Sequence, residues 1–417
     1  MPMALRGREK AVGTVTSILL VAFGGLFGPS SAMATSENSA SSSGGACVPV
    51  AILSYRGSVN PNINASIVTH EGKRYRYANS DLVTNGWEGS ILQRLFQPFA
   101  VTRYADGFRP DHVPVVAVGP AAADEPGYPA VHPASPVRDL VASIEGGVAA
   151  GAEAILRIVR SQPSTCETST QFIAVGFSQG AIVTRVLAQI FPAVVGVINI
   201  GDPLQKPDAT GNEGSGAAGM GIARSNFSAY REKIDRFYSL AIHKSALCHA
   251  GDPFCDFRGD ASFLDLLDPT EHFSYMAGSF AHEADMKGRE LADLAREKHV
   301  SSRNNTARAS GGIDTLRIGA SILATEGVPT TLSIVDPGNT LARGALRFRF
   351  DLDGDGVFET PSSSGVIRAI FPRSGTRTVS VQIAYSGGES VVASTQVDVA
   401  PGEALGAGLL AAIIGEF

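Results

Sequence analysis

The 417-residue chain has no long basic block, no C-x-x-C pair and little net charge, formally -6. Phosphate binding needs clustered Lys and Arg, so nucleic acid is excluded as a partner. Mild acidity also argues against a strongly anionic membrane target, and without C-x-x-C spacing a structural zinc site is not expected. No apolar run reaches the ~20 residues of a membrane span. Apolar residues make up 44% of the chain, enough for a sizeable core, and its length suggests two domains with extras.

The N-terminus reads as an export signal over residues 1–34. Arg6, Arg8 and Lys10 supply a positive start, Val15 to Phe27 an apolar stretch containing Gly24 and Gly25, and Ala32-Met33-Ala34 a small-residue cleavage pattern. A secreted, extracellular protein follows, and disulfides become possible. Cys47, Cys166, Cys248 and Cys255 allow three pairings, which sequence alone does not choose between. Cys248 and Cys255 are close enough for a short staple, which would leave Cys47 and Cys166 to close a long loop.

Residues 35–46, rich in Ser, Gly and Ala, read as a flexible lead-in. Short apolar runs then alternate with helical stretches. Val48 to Leu53, Val113 to Val118, Phe172 to Val175, Val194 to Ile200 and Arg236 to Ile242 read as strands. Trp87 to Val101, Ser135 to Val159, Ala181 to Ile190 and Ser274 to His299 read as helices, the first with Ile91, Leu92, Leu95, Phe96 and Phe99 on one side. This order predicts an α/β fold, a parallel sheet covered on both faces. The Gly- and Ser-rich stretch 204–228 reads as a surface insertion, and 300–312 as a linker.

The pattern then changes. Leu332 and Ile334, then Leu346, Phe348 and Phe350, then Val379, Val381, Ile383 and Tyr385 alternate with polar residues. Turn signals at Asp336-Pro337-Gly338-Asn339 and Ser386-Gly387-Gly388 separate them, predicting a small antiparallel β-sandwich over 313–402. Residues 403–417 form an apolar tail of about half a membrane span.

Chemistry is concentrated at Gly176-Phe177-Ser178-Gln179-Gly180, a G-x-S-x-G motif between an apolar strand and a helix. That context is what a nucleophile elbow needs. Side chains at the flanking positions would crowd the backbone, hence the glycines. The following helix points its N-terminus at the reaction centre. Serine needs a base, oriented by a third group, and the chain order in such folds is Ser, acid, His. The downstream histidines are His243, His249, His272, His282 and His299. His243 ends an expected strand, and His282 and His299 lie in a charged helix. His272, in a loop ahead of that helix, can reach the elbow. Asp202 follows the first strand after the elbow and reads as a turn residue. Asp252 lies inside Cys248-His249-Ala250-Gly251-Asp252-Pro253-Phe254-Cys255, where a bridge would pin a carboxylate.

GFSQG, followed by C-x-x-x-D-x-x-C and then His272-Phe273-Ser274-Tyr275, resembles the cutinase family. Upstream, Cys47 precedes a strand ending in Arg56-Gly57-Ser58, and Cys166 precedes the elbow strand, so the resemblance covers residues 47–299. It implies an α/β-hydrolase fold and hydrolysis of carboxylic esters without a cofactor. It implies Ser178, Asp252 and His272 as the catalytic triad, with Cys47–Cys166 and Cys248–Cys255 as bridges. The oxyanion hole would come from Ser58 and the Gln179 backbone N–H. The substrate would be a lipid ester, polyester or acylated polysaccharide. Val59-Asn60 departs from the family's usual continuation, and the stretch from Asp252 to His272 is longer than in compact members. The alternatives are a non-catalytic surface or adhesion protein keeping the fold, and a phospholipase or acetyl-xylan esterase.

Asp351-Leu352-Asp353-Gly354-Asp355-Gly356 is similar to the D-x-D-G-D-G stretch of PKD-like sandwich repeats. An EF-hand would need Glu at the twelfth position, occupied by Ser362. A plain polar turn is expected there, with a surface Ca²⁺ on Asp351, Asp353 and Asp355 as the alternative. By analogy such a module contributes cell-wall or polymer contact.

Overall fold

The computed structural model describes residues 47–58, 68–71, 74–120, 127–132, 135–163, 166, 169–257, 270–304, 316–336, 346–385, 388 and 390–402. The expected export signal, lead-in and apolar tail lie outside these residues. So do 305–312 of the expected linker and most of the two turn signals, Pro337 to Asn339 and Ser386-Gly387. Along the chain run β1 (Val50–Tyr55), β2 (Val68–Glu71), β3 (Arg74–Tyr77), β4 (Val83–Thr84), α1 (Gly89–Val101), β5 (Val115–Val118), α2 (Val137–Ser161), β6 (Gln171–Phe177), α3 (Gln179–Ile190), β7 (Val194–Ile200), β8 (Asn212–Glu213), α4 (Ala223–Asn226), α5 (Arg231–Ser239), β9 (His243–Leu247), α6 (Thr270–Phe273) and α7 (His282–Asn304). The β region adds β10 (Arg317–Ala320), β11 (Pro329–Val335), β12 (Leu346–Asp351), β13 (Thr360–Ser362), β14 (Val366–Ile370), β15 (Gly375–Tyr385) and β16 (Ser390–Val399). No helix among the described residues is long and apolar enough to cross a membrane.

A six-stranded parallel sheet in the order β5-β1-β6-β7-β9-β8 is the frame. Its central strands are apolar and buried at most positions because each face meets helices, with Ser54, Gln171 and Asn199 as polar exceptions. In β1, Val50 and Ile52 join the core under α1 and α7, while Ala51, Leu53 and Tyr55 join the core under α2 and α3. β6 divides likewise, with Ile173 and Val175 on the first face and Phe172 and Ala174 on the second. This is the covered parallel arrangement expected from the continuous apolar runs.

Three readings need correction. Arg236 to Ile242 is not a strand. Arg231–Ser239 is helix α5, burying Ile234 and Phe237 one turn apart, and the strand begins at His243. A short apolar run does not distinguish a strand from a turn of helix. Residues 204–228 are not a loose surface insertion. They add β8 to the sheet edge and bury Leu204, Gln205, Ile222 and Phe227. Their glycines mark close packing rather than flexibility. A Cβ on Gly214 would lie 2.4 Å from the Cys248 carbonyl oxygen, and one on Gly216 would lie 2.4 Å from that of His249. α7 also extends through Asn304, five residues into the stretch read as linker, and Ser302 is buried.

The β region is a sandwich of a three-stranded sheet, β10-β11-β14, and a four-stranded one, β13-β12-β15-β16, all antiparallel. Leu332, Ile334, Phe348, Phe350, Val379, Val381 and Ile383 fill it and are continuous with the core around α2 and α3. β11 is buried on both faces, because its other side covers α2. There the Thr331 N–H donates to Glu145 Oε2 at 2.7 Å, the Thr331 hydroxyl donates to the Glu145 carbonyl at 2.8 Å, and the Ser321 hydroxyl donates to Glu145 Oε1. Burial pushes the Glu145 carboxyl up to about 7, against these donors.

Candidate active site

The elbow forms where β6 ends and α3 begins. Ser178 has φ 54° and ψ -121°, a conformation L-residues hold only when the surroundings enforce it. The enforcing contacts are backbone ones. The Ser178 N–H donates to the Ile200 carbonyl at 2.9 Å, and the Ala181 N–H to the Ser178 carbonyl at 2.8 Å. A Cβ on Gly176 would sit 2.6 Å from the Gly180 carbonyl carbon, and one on Gly180 would sit 2.2 Å from the Tyr55 carbonyl oxygen. Both flanking positions therefore exclude a side chain, for the reason expected from the motif.

The loop after β1 closes over this turn. A Cβ on Gly57 would come within 2.9 Å of Ser178 Cβ, so Gly57 lies against the elbow, and the next residue, Ser58, is buried. Gln179 is buried at the first position of α3, its Oε1 accepting from the Ser143 hydroxyl on α2 at 3.2 Å.

The structure brings Asp252 and His272 together. His272 lies on the one-turn helix α6 rather than in an open loop. Its Nδ1 donates to Asp252, 3.0 Å from Oδ1 and 2.9 Å from Oδ2. Asp252 is fully buried, and Oδ1 also accepts the Phe254 N–H at 2.8 Å, while Oδ2 accepts the Tyr275 hydroxyl at 2.6 Å. Burial pushes this carboxyl up, but the His272 charge and these hydrogen bonds outweigh it and hold the group below the usual carboxylate value. The bridges Cys47–Cys166 and Cys248–Cys255 are both present, and the second encloses Asp252.

The imidazole sits between aromatic rings. Phe177 stacks on it at 4.8 Å and Phe254 lies at 4.2 Å. Phe177 immediately precedes Ser178, so the ring is held against the elbow. Gly201, which follows the Ile200 that binds Ser178, lies below the ring: a Cβ there would be 2.8 Å from His272 Cε1 and 3.2 Å from Asp252 Oδ2. His272 Nε2 is buried and has no hydrogen-bond partner among the described residues. In ligand-free hydrolases the serine–imidazole bond is commonly long and tightens around substrate.

The other candidates sit elsewhere. His243 begins β9 rather than ending a strand, and its Nε2 pairs with Glu290 at 2.7 Å. His249 is buried, with Nδ1 at 3.1 Å from the Ser274 hydroxyl and Nε2 at 2.7 Å from Glu283 Oε1. His282 and His299 lie on α7. Asp202 is more than a turn residue: it is fully buried in an ion pair with Arg185 at 2.5 Å, and it accepts from Asn199 Nδ2 at 2.9 Å. Sequence reasoning gave no role to Gly201, Phe254 or Tyr275. Tyr275 was legible only as part of the HFSY motif.

Asp351, Asp353 and Asp355 gather their carboxylate oxygens within 4.8 Å of one another. The oxygens of Asp351 accept the Gly354 and Gly356 N–H groups, and Asp355 Oδ1 accepts that of Val357. The turn caps itself with the same carboxylates.

Comparison with known proteins bears on this segment. Residues 101–285 match the family model Cutinase. This segment is similar to the cutinase family. It contains Ser178, Asp252 and His272, whereas Cys47 and Ser58 precede it. Among solved structures, a cutinase-like protein from a Cryptococcus species is 18% identical with TM-score 0.33, covering 61% of this chain and 96% of its own. A nucleoside hydrolase-related hypothetical protein from Saccharophagus degradans is 11% identical with TM-score 0.15, covering 75% of this chain and 87% of its own. No curated protein matches the chain significantly.

Proposed function

We propose that the chain is an exported serine esterase of the cutinase type, acting on carboxylic esters through Ser178, His272 and Asp252. The observation that carries this is the buried His272: Nδ1 is bound by Asp252, Nε2 has no hydrogen-bond partner among the described residues, and the ring stacks on Phe177, the residue before Ser178. An imidazole fixed at one nitrogen with the other left available is what a general base requires.

In this reading Nε2 takes the Ser178 proton as Oγ attacks the ester carbonyl. Asp252 keeps the proton of the ring on Nδ1 and stabilises the imidazolium. The Gln179 N–H, at the start of α3, and Ser58, the residue after Gly57, receive the oxyanion. One such donor is worth about 3–4 kcal/mol of transition-state stabilisation. Nε2 then protonates the leaving alcohol, and water releases the acyl group by the reverse sequence.

Two exposed aromatic side chains support a substrate with apolar bulk, as in a lipid ester, polyester or acylated polymer. Phe273 follows His272, and Trp87 lies against Gly119 just past β5, with Arg56 over its ring at 5.5 Å. Exposed apolar groups at a reaction edge suit an apolar ligand. The two disulfides accord with an extracellular setting.

The test is hydrolysis of a short p-nitrophenyl ester by wild type and Ser178→Ala. A loss of about a thousandfold or more in the variant is expected. Equal rates would remove the esterase reading.

A further inference from the structure

Tyr275 stands behind the Asp252–His272 pair in a place that neither chain order nor the G-x-S-x-G motif reveals. Its ring is completely buried, and its hydroxyl donates to Asp252 Oδ2 at 2.6 Å, the same oxygen that His272 Nδ1 approaches at 2.9 Å. The Tyr275 oxygen in turn accepts the His249 backbone N–H at 3.0 Å. One face of the ring is stacked on the His249 imidazole at 4.0 Å, and the ring of Phe177, the residue before Ser178, meets it edge-on at 6.2 Å. The His249 ring is itself fixed at both nitrogens, by Ser274 and by Glu283.

We propose that Tyr275 is a positioning residue for catalysis, setting the orientation and basicity of Asp252 towards His272, and that the Glu283–His249 pair holds Tyr275 in place. This rests on the esterase reading above. The physical reasoning is direct. A carboxylate held only by an imidazole and one backbone N–H can rotate about its Cβ–Cγ bond. A third donor on Oδ2 removes that freedom and withdraws charge from the oxygen that faces Nδ1. Burial and the nearby Asp252 charge push the phenol well above its usual range, so it stays a donor through any working pH.

Among the described residues, the titratable and charged groups around this assembly are few. Asp252 and Tyr275 face the His272 ring, with Phe177, Phe254 and Phe273 as apolar neighbours. Tyr275 meets Asp252 and His249, lies in the field of Glu283, and has Arg94 of α1 donating to its carbonyl at 3.2 Å. Asp256 accepts the Gly251 N–H at 2.8 Å on the far side of the Asp252 loop, and Glu271 precedes His272.

The experiment measures kcat, KM and the pH profile of kcat/KM for wild type, Tyr275→Phe, and a chain with 3-fluorotyrosine placed at position 275, with Ser178→Ala as control. Phenylalanine keeps the ring packing and deletes the donor. Fluorotyrosine keeps the fold and strengthens the donor. Expected for Tyr275→Phe is a fall in kcat of about tenfold with little change in KM, the scale of one hydrogen bond to a charged group. The acidic limb of kcat/KM should move to higher pH by about half a unit, because Asp252 then stabilises the imidazolium more strongly. Fluorotyrosine should move that limb the opposite way, and that arm reads the effect even if the Phe variant folds poorly. Profiles unmoved in both chains, with Ser178→Ala inactive, would overturn the positioning role and leave the esterase standing. Hydrolysis undiminished in Ser178→Ala would overturn both.

Discussion

Gly201 lies against His272, and the space between them is too small for a methyl group: a Cβ would reach 2.8 Å from Cε1 and 3.1 Å from Nδ1. The φ of Gly201 is +56°, a region L side chains also disfavour. Gly201→Ala should therefore cost about 1–3 kcal/mol of stability and displace the imidazole. A kcat loss of about tenfold or more, exceeding any change in KM, is the expected outcome. Steady-state kinetics beside thermal melting checks it.

The Arg185–Asp202 pair anchors the turn that carries Gly201. Arg185 lies beneath the rings of Phe237 and Tyr238, and both charges are buried. Removing one partner leaves the other uncompensated, so Asp202→Ala should destabilise the fold by about 3–5 kcal/mol. Urea denaturation followed by fluorescence reads the change. A shift of only a few tenths of a kcal/mol would mean that the ion pair is not a structural support.

Glu145 couples the β-sandwich to α2, and its carboxyl is raised to about 7 by burial. The folded state holds its proton more tightly than the unfolded chain, whose carboxyl titrates near the ordinary value of ~4.3. The favourable contribution is therefore complete below the unfolded value and is lost as pH rises through about 7. Stability should fall between pH 5 and 8 by on the order of 3 kcal/mol from this group. In Glu145→Gln that slope should vanish, as denaturant midpoints across the pH series would show.

The two bridges should separate in effect. Cys47–Cys166 spans 119 residues and Cys248–Cys255 only 7. By chain entropy the first contributes about 4–5 kcal/mol and the second about 2–3 kcal/mol. Replacing both cysteines of the long bridge by Ala should mainly lower the melting temperature. Replacing those of the short one should mainly lower kcat, because it encloses Asp252.

Much of this was readable beforehand. The parallel sheet, the elbow and the pairing of Asp252 with His272 follow from local patterns: continuous apolar runs, G-x-S-x-G between strand and helix, and an aspartate inside a cysteine loop. What was not readable depends on contacts between distant segments. The glycines of 204–228 looked like flexibility because composition does not show that the Cys248 and His249 carbonyls press on them. Arg236 to Ile242 looked like a strand because its apolar residues are too few to display a helical period. The alternation of residues 313–402 showed a sandwich, but the seating of its Thr331 on Glu145 of α2 is visible only in the fold. Tyr275 was hidden for the same reason, its hydroxyl bound to an aspartate 23 residues earlier.

The most direct test of the account is mass spectrometry of the enzyme quenched in acid during turnover of a slowly deacylating p-nitrophenyl ester. The account predicts one acyl group on the peptide bearing Ser178, accumulating in wild type and missing from Ser178→Ala. Hydrolysis without that adduct and undiminished in Ser178→Ala, or an adduct on another residue, would contradict it.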